Sequence, residues 1–164
     1  MSAIQIRQPT LTLRAGKRAM AHIRQNGLQP ADVAILPGAA GGPKGIGLQG
    51  LDLALFADWL PRSPRPRTLI GASIGSWRFA SACLPDAAAG IRRLGELYTS
   101  QRYARGVTMQ EVSQSCRQLL HDLLDGQDAA VLANPLYRLN IVVVRSHGLL
   151  VHDQHHHLRE QFSA

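Results

Sequence analysis

The chain has 164 residues, 45% hydrophobic and 18% charged, a composition that fits one globular domain and excludes disordered or fibrous classes. No stretch approaches the ~18 consecutive apolar residues of a membrane-spanning helix, and the N-terminal residues lack the apolar core and cleavage site of a secretory signal. The formal charge is +7 and the pI about 10.4, but the basic residues form no helix face and no aromatic stacking pattern, so nucleic acid is not an expected partner.

Leu13, Met20 and Ile23 recur at helical spacing and predict a helix over Thr12 to Asn26, stopped by Gly27. Pro30 leads into the apolar run Val33 to Leu36, which reads as a buried parallel strand ended by Pro37 and Gly38. A glycine-rich stretch, Gly38 to Gly50, merges into a helical pattern through Leu51, Leu55 and Leu60. The arginine–proline segment Pro61 to Pro66 closes it; Arg62, Arg65 and Arg67 there form the densest basic cluster. Thr68 to Ile70 predicts a second strand, followed by helical composition over Ser76 to Leu84 and again over Asp86 to Arg102.

Thr108 and Glu111 form a capping box that opens a third long helix, with Val112, Cys116, Leu119, Leu120 and Leu123 as its apolar stripe. Leu139 to Val144 predicts the last clear strand, and Gly148 to His152 a hairpin partner for it. Strands alternating with helices indicate one α/β domain over residues 1–164 with a mostly parallel sheet. Three or four strands make a small sheet for this class, so the expectation is an incomplete piece of a larger domain. Cys83 and Cys116 are too few for a disulfide framework and fit a reducing, cytoplasmic setting.

Two segments carry chemistry. Gly71-Ala72-Ser73-Ile74-Gly75 is a G-x-S-x-G pentapeptide placed between a strand and a helix. Such a turn needs small residues two places either side of the serine and pushes its hydroxyl out where a base can reach it, so Ser73 reads as a nucleophile. The following helix N-terminus turns amides toward the same place. Upstream, Gly38 to Gly45 also follows a strand and precedes a helix, and its backbone amides could converge on a developing oxyanion. Two nucleotide readings fail. The Walker A pattern from Gly38 puts Lys44 correctly, but Pro43 and Gly45 replace its last glycine and its hydroxyl. The G-x-G-x-x-G at Gly45 to Gly50 lies too far from the strand and lacks the acidic residue about twenty positions on.

The loop and the pentapeptide together resemble the patatin-like phospholipases, whose G-G-G-x-[KR]-G oxyanion loop precedes G-x-S-x-G by one strand–helix–strand unit. Here the loop reads Ala40-Gly41-Gly42-Pro43-Lys44-Gly45, with alanine at the first glycine, and the likeness spans residues 33–84. The resemblance implies a three-layer α/β/α fold and a serine acyl hydrolase that cleaves lipid carboxylic esters through an acyl-Ser73 intermediate. It implies oxyanion amides at Gly41, Gly42 and Ile74, with Gly71, Gly75, Lys44 and Gly45 as motif positions, and no cofactor. A lipid ester is then the expected substrate, with peripheral contact at an anionic membrane surface.

The family's base is an aspartate in a later D-[GA] motif. Asp125-Gly126 has that spelling but follows Leu119 to Leu124, so it reads first as a helix end. Asp153 is a second candidate, and the expectation is that the dyad acid lies outside these residues. His147 or His152 could serve a Ser–His–Asp arrangement instead. His152, His155, His156 and His157 read as a solvated tail rather than a metal site. The alternative to an enzyme is a truncated or degenerate, non-catalytic relative that acts as a binding module.

Overall fold

The structure, a computed structural model, describes residues 12–145. It is a mixed α/β fold built on three parallel strands in the order β1 (Ile35–Gly38), β2 (Arg67–Ala72), β3 (Tyr137–Val142). Between β1 and β2 lie α2 (Pro43–Ile46) and α3 (Gln49–Asp52), the latter continuing as a π-helix (Leu53–Trp59) and a 3-10 turn (Leu60–Arg62). Between β2 and β3 lie α4 (Ile74–Ala82), α5 (Ala87–Ser100), α6 (Met109–Leu124) and α7 (Asp128–Leu132). A helix α1 (Lys17–Asn26) precedes the sheet and buries none of its residues.

Each strand is found at a predicted apolar run: β2 encloses Thr68 to Ile70, while β1 and β3 are each displaced by two residues. β1 pairs from Ile35 to Gly38 rather than Val33 to Leu36, and so includes Pro37. A proline is tolerated there because β1 is an edge strand and needs ladder bonds on one side only. Val33 is diverted instead: its carbonyl accepts from Arg67 Nε at 3.0 Å. Arg67 is 2% exposed and has no carboxylate partner among the described residues; its guanidinium also donates to the carbonyls of Pro30 and Ser63, both at 2.9 Å. One buried cation thus gathers the segments entering β1 and β2. The neighbouring arginines are engaged at the surface, Arg62 with Asp58 and Arg65 with the Ala31 carbonyl, so all three members of the basic cluster have partners within the chain.

β3 starts two residues earlier than the apolar run, at Tyr137, because Asn134 Oδ1 accepts from the amides of Leu136 and Tyr137 at 2.9 Å each. Pairing ends at Val142, leaving Val143 and Val144 outside the ladder. The capping box at α6 is formed as predicted: Thr108 N–H donates to Glu111 at 2.7 Å, and Glu111 N–H to Thr108 Oγ1 at 3.2 Å. The bond from the Thr108 amide holds the Glu111 carboxyl below its ordinary pKa. α1 begins at Lys17 rather than Thr12, behind Gly16. The short α7 has too few residues to show a helical period and was not predicted.

The core lies on one face of the sheet. Leu69 in the central strand is buried beneath α4, and Phe56 of the π-helix meets Phe79 of α4 and Tyr137 of β3 edge-on, with centroids 5.9 and 5.5 Å apart. Leu119 and Leu123 bring α6 onto the same core. On the opposite face Ile35, Ile70 and Val142 are exposed among the described residues. Burying a leucine or phenylalanine side chain contributes about 1.5–3 kcal/mol, so the covered face carries most of the folding energy.

Candidate active site

β2 runs straight into Ser73, and α4 begins at the next residue. Ser73 sits at φ 51°, ψ −125°, and only Asp125 shares a positive φ among the described non-glycine residues. That backbone region is essentially reserved for glycine, and a side chain held there costs about 1–3 kcal/mol. The turn is tight, with Ser76 N–H donating to the Ser73 carbonyl at 2.8 Å. The Ser73 side chain is exposed and does not cap the helix. A Cβ built on Gly71 would lie 2.5 Å from Ser76 Cα, and one on Gly75 would fall on the carbonyl oxygen of Gly38. The two flanking glycines are therefore required by contact, as the pentapeptide predicts.

The contact at Gly75 also fixes where the glycine-rich loop lies. Its first residue, Gly38, packs backbone to backbone on the first turn of α4, and Gly45 at its far end packs on the Ile74 side chain. The loop is pinned to the serine turn at both ends, with Gly41 and Gly42 between. Gly42 has φ 52°, ψ −133°, nearly the conformation of Ser73, and α2 starts immediately after it at Pro43. Ala40 has no positive φ, so the alanine in place of a glycine carries no backbone strain. The amides of Gly41, Gly42 and Ile74 make no hydrogen bond among the described residues. Three unengaged N–H groups near a helix N-terminus form a region that favours negative charge.

One ion pair locks the two units together. Arg78 of α4 donates twice to Asp52 at the end of α3, at 2.7 and 2.6 Å, with both side chains nearly buried. This pair escaped the sequence reading; a lone acid inside the apolar stretch Leu51 to Leu55 is the one signal that could have suggested it. Beside the pair lies a cavity of about 440 Å³ whose walls include Ala40, Gly41, Lys44 and Phe79 but not Ser73. Lys44 is exposed and has no carboxylate within 4.0 Å among the described residues.

No base is hydrogen-bonded to Ser73 among the described residues. Asp125 ends α6 in the left-handed conformation, its N–H bonded to the His121 carbonyl and its carboxylate 3.3 Å from Arg93, which is the helix-end reading of Asp125-Gly126. Asp153, His147, His152, His155, His156, His157 and the expected hairpin strand lie outside the described residues. Cys83 is buried, and burial pushes its thiol up to about 12, so it stays protonated and is no rival nucleophile. No described helix is long and apolar enough to cross a membrane. Searches against protein-family models, curated proteins and solved structures return no match to this chain, so the likeness to patatin-like enzymes rests on the two motifs alone.

Proposed function

We propose that this chain carries the nucleophile and the oxyanion loop of a patatin-like serine acyl hydrolase acting on lipid carboxylic esters. The observation that supports this most is the strained Ser73 turn, pinned at both ends to a loop whose amides are unengaged. In this reading the Ser73 hydroxyl attacks the ester carbonyl, and its proton passes to an aspartate acting as general base. The N–H groups of Gly41, Gly42 and Ile74 donate to the oxyanion as it forms. Collapse releases the alcohol and leaves acyl-Ser73, which water then hydrolyses. The open sheet face with Ile35, Ile70 and Val142 is where a second helical layer of a three-layer α/β/α domain would sit. The setting proposed is cytoplasmic, with peripheral contact at an anionic membrane surface.

A second reading is a non-catalytic relative that only binds a ligand or partner. It is favoured by one observation: neither Asp125 nor any other described carboxylate or imidazole is hydrogen-bonded to Ser73.

Burst-phase acylation separates the two. Mixed with excess p-nitrophenyl butyrate, the protein should release p-nitrophenolate faster than its Ser73→Ala variant and gain one butyryl group on Ser73 by peptide mass spectrometry. Release at the variant's rate, with no acylated peptide, sinks the enzyme reading and leaves the binding module.

A further inference from the structure

We propose that the cavity behind the glycine loop is a binding site for a single-chain anionic amphiphile, a medium-chain carboxylate, held noncovalently and apart from any ester attacked by Ser73. Its volume, about 440 Å³, is near the lower end of the range of small-molecule sites, which suits one chain rather than two. The walls are aliphatic and aromatic: Leu36, Leu55, Phe56 and Phe79 line it, with Leu48 and Leu51. Those last two leucines are among the exposed large apolar residues, so apolar surface faces solvent at the opening with nothing described to cover it. Leu55 and Phe56 belong to the π-helix, a helix form that tends to persist where a site needs it.

Charge selects the head group. Asp52 and Arg78 both reach the wall, but their two hydrogen bonds neutralise each other. That leaves Lys44, exposed and without a carboxylate partner among the described residues, as the one lining charge not paired there. An apolar bore with an ammonium at its edge fits a tail that enters and a carboxylate that stays at the solvent side. Ser73 does not line the cavity, while Ala39, Ala40 and Gly41 do, so the occupant would bear on the loop rather than on the nucleophile.

Isothermal titration of the whole chain with dodecanoate and with dodecanol, each kept below aggregation, tests this site. Dodecanoate should bind saturably and more tightly than dodecanol. Lys44→Gln should weaken dodecanoate about fivefold and leave dodecanol unchanged, as expected for a charged head at a partly exposed cation. Leu51→Glu, a change at an already exposed position, should weaken dodecanoate about tenfold by placing a like charge at the opening. Ser73→Ala should bind as the wild type does. The site is overturned by no saturable binding, by equal affinity for the two ligands, by variants that change nothing, or by loss of binding in Ser73→Ala. The two assignments fail separately: acylation of Ser73 without dodecanoate binding removes only the cavity site, and the converse removes only the serine reading.

Discussion

The chain makes nearly the same backbone turn twice. At Gly42, four residues past the end of β1, and at Ser73, directly after β2, it passes through φ near +50° with ψ near −130° and enters a helix at the next residue. At the first turn the residue is glycine, for which that conformation is free of steric cost. At the second it is serine, whose Cβ makes the same conformation costly. Stability alone would place glycine at both. A side chain kept where it opposes folding, exposed and uncapped at a helix N-terminus, points to a use for its hydroxyl. In the proposed function the silent turn supplies amides and the strained one the nucleophile, and the contacts at Gly75 and Gly45 hold the two turns side by side.

Several substitutions break or sharpen this contrast. The largest effect is expected for Asp52→Ala, which leaves Arg78 buried without its partner and cuts the tie between the two units. Loss of one member of a buried pair costs about 3–5 kcal/mol, read as a fall in the urea midpoint. Gly75→Ala comes next. Its methyl must displace the Gly38 carbonyl, so the loop and the serine turn separate, at about 3 kcal/mol. An Asp52→Ala or Gly75→Ala protein as stable as the wild type would show that the two turns do not depend on each other.

The smallest effects discriminate best, because they have opposite signs. Ser73→Gly relieves about 2 kcal/mol of strain and gives back about 1 kcal/mol to the looser unfolded chain, for a net gain near 1 kcal/mol. Gly42→Ala runs the same exchange backwards and should lose about 1 kcal/mol; space is not the cause, since nothing lies within 4 Å of its added Cβ. Equal signs for the two would mean that the turns are not equivalent. Ser76→Ala is a useful control within the same turn. Its hydroxyl is buried with no partner among the described residues, so removal should be neutral or slightly stabilising.

Much of this arrangement is legible in sequence, and the reason is local. Strand, turn and helix at Ser73 follow from Leu69-Ile70, three spaced small residues and the helical run after Ser76, all within one stretch of chain. The capping box at Thr108 and the helix end at Asp125-Gly126 are equally local, and both are formed. What could not be read depends on residues far apart in the chain. Arg67 reaches the Pro30 carbonyl across a span that includes β1, α2, α3 and the π-helix, and Asp52 meets Arg78 only because α3 and α4 lie together. The displaced start of β1 has the same origin, since the diversion of Val33 to Arg67 leaves Pro37 to complete the edge strand. The cavity is likewise a product of packing, with walls drawn from β1, the glycine loop, the π-helix and α4.

The most direct measurement is covalent labelling of the folded protein by a fluorophosphonate, with the modified residue located by tandem mass spectrometry. A serine that projects from a strained turn beside unengaged amides should be phosphonylated at position 73 and nowhere else, and Ser73→Gly should abolish the adduct while raising the urea midpoint. Unlabelled protein that still unfolds cooperatively, or an adduct spread over other serines, would contradict the account.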